Sequence, residues 1–282
     1  MGPRRVFVAL FAVTLLSAGC NTGGQADLLA TIRQNGVMRV STDPAYPPQS
    51  EQLPDGTFQG FDIDVANELG RRLGVRVQFE TPNFDLVQAG GWAGRWDISV
   101  GSITVTEARK ANLSFTQPYY FTPAQLAAVN DSGITTLEGF AGKTICVGAQ
   151  TTYLFWLQGT LELGDGSSAA PLPQGVQATT FDTDTQCADA IRSGRRDFEG
   201  WLTASETLVM AIDEGAPFTA VGDPLFYEPL AVAIDKQGTA PAHAQLLAEL
   251  DSILAAMHSD GTLTQLSQKW YDGRDLTRRA GQ

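Results

Sequence analysis

The apolar positions of this chain switch between helical and strand periods. Residues 27–34 place apolar side chains at helical spacing and stop at Asn35-Gly36, which predicts a short helix. Residues 37–41 (V-M-R-V-S) then read as a strand. Over residues 61–73, Ile63, Val65, Ala66, Leu69 and Leu73 share one stripe and Gly74 follows. That predicts an amphipathic helix with a glycine stop. Residues 75–79 form the next strand. Alternating strands and helices predict an α/β fold with largely parallel pairing.

The pattern also repeats itself. Gly94-Arg95-x-Asp97 precedes one apolar strand, and Gly194-Arg195-x-Asp197 precedes another. The echo fits two lobes built from similar βαβ units. Two segments, 114–120 and 223–229, each precede an apolar run, 126–129 and 230–234, and read as two crossings between the lobes. A second lobe starts at 139–147 (G-F-A-G-K-T-I-C-V). Residues 161–177, rich in Gly, Ser and Pro, predict an exposed loop. Residues 242–271 predict two helices split at Asp260-Gly261.

Composition narrows the picture. A chain of 282 residues, 43% hydrophobic, has enough apolar mass for one large or two medium domains. A net charge of −12 speaks against nucleic acid as a partner, because phosphate binding needs a basic face. Arg4 and Arg5 precede an apolar stretch, residues 6–16, that is too short to span a bilayer. Leu16-Ser17-Ala18-Gly19-Cys20 follows and resembles a bacterial lipobox, with cleavage before Cys20 and lipidation of its thiol. Residues 1–19 are then a signal peptide and 20–26 a lipidated tether. Two arginines and no acid leave with the peptide, taking the charge from −12 to −14. With Cys20 committed to lipid, Cys146 and Cys187 remain as an even pair, and a disulfide between them suits an exported chain. No metal-ligand spacing is present and no cofactor is expected. His243 and His258 read as solvated positions of the C-terminal helices.

The densest chemistry lies at residues 97–109 (D-I-S-V-G-S-I-T-V-T-E-A-R). A short strand, 98–100, opens into a loop where Gly101 allows close backbone approach. Ser102 and Thr104 offer hydroxyls, and Thr106 stands as an N-cap for a helix start bearing Arg109. Backbone donors, two hydroxyls and a guanidinium in so short a span suit a carboxylate, which Arg grips bidentately.

The chain resembles the family 3 extracellular solute-binding proteins of ABC transporters, the polar amino-acid group. The residues that carry this are Ser41-Thr42-Asp43-x-x-Tyr46-Pro47-Pro48, Gly60-Phe61-Asp62-Ile63-Asp64 and Ser102-x-Thr104-x-Thr106-Glu107-x-Arg109. They continue with Phe115-x-x-Pro118-Tyr119-Tyr120, Gly142-Lys143, and Asp260-Gly261-Thr262-Leu263 with Lys269-Trp270. The resemblance implies a two-lobed α/β clamp of the periplasmic-binding-protein type with two hinge crossings. The first lobe comprises 27–122 and 226–282, and the second 123–225. It further implies an extracytoplasmic, lipid-anchored monomer that hands a small carboxylate-bearing ligand, an amino acid, to an ABC permease.

Carried over by position, Arg109 grips the ligand carboxylate, helped by the Ser102 backbone and the Thr104 hydroxyl. Tyr46 and Phe61 sandwich the side chain. Asp43 lines the same wall, and Thr151 and Thr152 add hydrogen bonds from the second lobe. Plainer readings stay open: Phe61 as core, Tyr46 as a packed turn, Asp43 as a turn cap, and Thr151 with Thr152 as helix caps. One departure stands out. The family's ammonium-pairing acid falls on Leu202 within Asp197-Phe198-Glu199-Gly200-Trp201-Leu202-Thr203. Alternation puts Glu199 on the opposite face from Leu202, and Trp201 suggests an apolar pocket edge. A neutral or acidic amino acid is therefore expected, with a carboxylate lacking an ammonium as rival and strongly basic amino acids as poor ligands. The alternative functions are a cyclohexadienyl-dehydratase-like enzyme using Glu199 or Asp43 as its acid, and a ligand-sensing receptor.

Overall fold

The computed structural model describes residues 2, 27–236 and 243–279, so the lipobox and Cys20 lie outside the described residues. The chain opens with helix α1 (Leu28–Asn35), whose first turn is capped by the Asp27 carboxylate accepting from Leu29 N. Strand β1 (Val37–Ser41) follows, then a small antiparallel sheet of β2 (Ala45–Tyr46), β3 (Ser50–Gln52) and β4 (Phe58–Gln59). Next come α2 (Phe61–Leu73), β5 (Arg76–Glu80), α3 (Phe84–Gln88), β6 (Ile98–Ser99) and α4 (Glu107–Lys110). The predicted helix over 61–73 forms as expected, and it stops at Gly74 in the left-handed conformation. Strand β1 pairs in parallel with β5 on one side and β6 on the other.

The second half begins with β7 (Leu113–Val129), then β8 (Thr144–Gly148), α5 (Thr152–Leu157), β9 (Gln177–Phe181), α6 (Gln186–Arg192) and β10 (Gly200–Ala204). After α7 (Ser205–Asp213) and β11 (Phe218–Ala220), β12 (Phe226–Asp235) leads back to α8 (Ala244–Ser259) and α9 (Thr262–Trp270). Strand β8 pairs in parallel with β9 and β10. One large sheet therefore runs in the order β5-β1-β6-β12-β7-β10-β8-β9, with β11 on β7.

The protein is a two-lobed α/β clamp, and β7 and β12 are its two crossings. The crossings are strands along most of their length, including residues 114–120, which alone did not read as strand. Their prolines give the reason. Pro118, Pro123 and Pro229 lack an N–H, and β12 shifts register around Leu230 and Ala231, opposite Tyr120 and Pro118. Pairing between two strands distant in sequence overrides the local turn signal.

Each lobe has its own core. Met38, Val40, Phe61, Leu69, Tyr119, Tyr120 and Leu254 pack together in the first. In the second, β10 sends Leu202 to one face, against Leu126 and Ile145, and Trp201 to the other, against Cys146 and Cys187. Cys146 and Cys187 are disulfide-bonded, Cα–Cα 5.8 Å, joining β8 to α6. The tail splits into α8 and α9 at Asp260-Gly261 as predicted. His243 departs from expectation: it precedes α8 and is buried, its Nε2 3.1 Å from Ser114 Oγ. His258 Nε2 lies 3.1 Å from the Pro118 carbonyl rather than in free solvent. No helix of the described residues is long and apolar enough to cross a membrane.

Candidate functional site

The strand-to-helix loops of both lobes converge on one cleft. From the first lobe come Asp43 and Tyr46, the β6–α4 loop with Ser102, Thr104 and Arg109, and Phe84 at the start of α3. The second lobe contributes Gly148, Thr151, Thr152 and Tyr153 around the start of α5, and Asp182 to Asp184 before α6. Thr122, Glu228 and Leu230 of the crossings form the floor. The cavity is about 60 Å³, roughly four times what one water needs. A second cavity of about 290 Å³ adjoins it, sharing Asp43, Phe84, Gly101 and Asp182.

Within each lobe the backbone packs closely at the cleft. A Cβ on Gly101 would sit 3.2 Å from Thr42 Cα, and one on Gly148 3.3 Å from Asp184 N. Glycine lets each loop lie against its neighbour. Ser102 adopts φ +52° although it is not glycine. Its hydroxyl donates to Asp62 at 2.7 Å and lies 2.6 Å from the Tyr120 hydroxyl, while Tyr119 donates to the other Asp62 oxygen at 2.7 Å. Burial pushes the Asp62 carboxyl up to about 7, against the pull of these donors.

Arg109 is held in α4, whose N-cap is Thr106 as predicted. Its side chain is almost fully buried, and its guanidinium carbon lies 5.0 Å from the Phe84 ring centre. Every donor contact goes to a neutral oxygen: Thr104 O at 3.0 Å, Gln150 O at 3.1 Å and Gln88 Oε1 at 3.3 Å. No carboxylate among the described residues comes within 4.0 Å of it, and burial pushes its pKa down to about 10.

The acids of the cleft are also held by neutral groups. Asp184 accepts from Gly148 N at 3.0 Å and from the Thr203 hydroxyl, and burial raises its pKa to about 7. Glu228 accepts from Thr104 at 2.7 Å, from Tyr153 at 2.8 Å and from Thr152. Asp43 accepts from Ala45 N at 2.8 Å, closing a turn, and burial raises its pKa. Tyr46 and Tyr153 meet hydroxyl to hydroxyl at 3.2 Å across the cleft.

Seven of the residues singled out from sequence thus surround one cavity: Asp43, Tyr46, Ser102, Thr104, Arg109, Thr151 and Thr152. Thr151 also caps α5, accepting from Leu154 N. Two do not reach it. Phe61 is fully buried against Tyr119, Tyr120 and Tyr271, with ring centres 5.0–5.9 Å apart, because the first turn of α2 faces the core. Phe84 is the aromatic that shares the cavity with Tyr46. Trp201 is buried against Phe218 at 5.4 Å, behind the sheet.

Leu202 faces the core as well, so the missing acid at that position removes nothing from the cleft. Asp184, one loop earlier, supplies a carboxylate, and Thr203 fixes it. Asp182-x-Asp184, directly after the short strand β9 (Q-A-T-T-F), was the available signal. Glu228 had only its place before Pro229. Glu199 is not in the cavity: it accepts from Thr144 N at 3.0 Å and lies 3.6 Å from Lys143.

The profile of the bacterial extracellular solute-binding proteins, family 3, matches residues 38–273. The L-cystine-binding protein TcyJ of Escherichia coli K12 is 29% identical over 281 residues, 98% of this chain and 97% of that protein. The histidine-binding periplasmic protein of the same strain is 28% identical over 246 residues, 86% of this chain and 90% of its own. Among solved structures, the ancestral amino acid-binding protein AncCDT-1, a precursor of cyclohexadienyl dehydratase, superposes with a TM-score of 0.72 at 27% identity. It covers 86% of this chain and 99% of that one. An ancestral arginine-binding protein bound to arginine gives 0.70 at 27% identity, over 84% and 98% of the two chains. With the profile spanning both lobes and the crossings, the chain belongs to the bacterial extracellular solute-binding proteins, family 3.

Proposed function

We propose that this chain is the extracytoplasmic, lipid-anchored binding protein of an ABC importer, and that it captures a free amino acid between its lobes. Residues 27–122 and 226–282 act as one jaw and 123–225 as the other. One observation carries the reading. A buried guanidinium, Arg109, reaches the cleft with only neutral acceptors around it, while the facing jaw presents the Asp184 carboxylate. A buried cation without a counter-ion is costly, and so is a buried carboxylate. An α-amino acid satisfies both, its carboxylate on Arg109 and its ammonium on Asp184. Its head group suits the cavity between Arg109 and Asp184, and its side chain extends past Asp43 and Phe84 into the adjoining one. The lipobox-like sequence ending at Cys20 supports anchoring at a membrane surface, where a permease works.

The test is a thermal-shift screen of L-amino acids beside the matching amines and carboxylic acids. A ligand at ~100 times its Kd stabilises the fold by about 2.7 kcal/mol. An amino acid is expected to stabilise while its decarboxylated and deaminated analogues do not. Stabilisation by the simple carboxylates alone, or by none of the panel, refutes the reading.

A further inference from the structure

Glu228 is an acid on the floor of the cleft for which the head-group assignment has no use. It belongs to crossing strand β12, where it stands opposite Thr122 of β7. It is almost fully buried, so its carboxylate has exchanged water for protein partners. Those partners come from both jaws: Thr104 from the first, Thr152 and Tyr153 from the second. All three are hydroxyls that donate. Oε1 receives two bonds and Oε2 one. An ionised carboxylate accepts about four, so one position on Oε2 is still open at the cavity.

Burial raises the Glu228 pKa, and the three hydroxyls, followed by the charge of Arg109, pull it back toward the ionised form; no ion pair joins Glu228 to Arg109. A carboxylate kept only to hold the jaws together would gain most by taking that guanidinium. Here each charge is instead held by neutral groups and faces the cavity.

We infer that Glu228 sets the charge selectivity of the cleft, a fixed carboxylate on its floor that rejects amino acids with anionic side chains and accepts a donor from the ligand. The inference rests on the amino-acid reading of the cleft. It reverses an expectation from sequence. The exclusion of basic ligands rested on Leu202 and Trp201, and both lie outside the cleft. Cationic and amide side chains are the favoured class, because Asp43, Asp182, Asp184 and Glu228 line the cavity against one arginine.

The experiment compares wild type with Glu228→Gln, which keeps the shape and removes the charge. Calorimetric titrations with glutamine, glutamate and lysine give the ratios of affinity. Wild type is expected to bind glutamate at least about tenfold more weakly than glutamine or lysine, the scale of like-charge repulsion in a dry site. The variant should narrow that gap by about tenfold or more. A purely structural role would weaken all three ligands alike and leave the ratios where they were. An unchanged ratio, or wild type binding glutamate as tightly as glutamine, overturns the inference. The wild-type comparison decides even if the variant fails to fold. Binding by no amino acid at all overturns the amino-acid reading, and this inference falls with it. Binding with unaltered ratios overturns this inference alone.

Discussion

Replacing Arg109 with methionine separates what this side chain does for the fold from what it does for the ligand. In the protein alone, two effects oppose each other. Burial pushes the guanidinium pKa from 12.5 down to about 10, which corresponds to roughly 3 kcal/mol against the buried charge. Three hydrogen bonds to Thr104, Gln150 and Gln88 return about 1 kcal/mol each. Methionine removes both and keeps contact with Phe84. The unliganded variant should therefore melt within about 3 °C of wild type, since 1 kcal/mol moves a chain of this size by roughly 2–4 °C. Ligand binding has no such cancellation. The carboxylate loses a bidentate, charge-assisted partner in a site shielded from water, about 2–5 kcal/mol. That is roughly a 30- to 5,000-fold loss of affinity. Calorimetric titration with the best ligand, beside a melt of the ligand-free protein, measures the two separately. Affinity within threefold of wild type would refute the carboxylate clamp. A melting drop beyond ~10 °C would refute the stated balance by making Arg109 a structural residue.

Two further outcomes follow from burial. Leu202→Asp places a carboxylate between Leu126 and Ile145, so it should destabilise the protein by about 3–5 kcal/mol in urea unfolding rather than improve amino-acid binding; tighter binding by a stable variant would return position 202 to the cleft. Asp62 and Asp184 carry folded-state pKa values of about 7, raised by burial above the unfolded value of 3.8. The folded state therefore holds more protons than the unfolded one between pH ~4 and ~7, so stability should fall as pH rises through that window, by a few kcal/mol in all. Rising melting temperature from pH 5 to 7.5 in the ligand-free protein would contradict it.

The sequence was readable where chemistry and structure are local. The 61–73 stripe, the Thr106 cap and the loop from Gly101 to Arg109 each depend on residues within a turn or two. Phe61 shows the limit. An aromatic at the start of a helix suits a ligand wall or a core equally, and what decides is Tyr119, Tyr120 and Tyr271 from distant parts of the chain. The same holds for Leu202, whose side was inferred from a motif but is set by the pairing of β10 with β7. Asp184 and Glu228 were missed because they sit far along the chain from Arg109 and meet it only when the jaws come together. Their partners, Thr203, Thr104, Thr152 and Tyr153, are ordinary residues whose meaning lies in what they touch.

The distribution of charge across the cleft has a consequence for how the clamp works. Contacts from jaw to jaw near the cavity pair no two opposite charges: Tyr46 to Tyr153, Arg109 to the Gln150 carbonyl, Thr185 donating to the Ala45 carbonyl at 3.0 Å, Gln88 donating to Gln150 at 3.2 Å, and the Thr152 and Tyr153 hydroxyls donating to Glu228. Each such bond is worth about 1 kcal/mol net, and water replaces it when the jaws part. Ion pairs between the jaws lie outside the cavity, Arg274 with Glu206 and Arg279 with Asp165. On the proposed reading, a zwitterion adds what the cleft itself lacks, one charge for Arg109 on the first jaw and one for Asp184 on the second. A ligand that bridges both binds the closed form more tightly than the open one, and that difference alone sets how far it can shift the clamp toward closure. An amine or a simple carboxylate touches only one jaw with its charge, so it has little leverage on closure however well it fits.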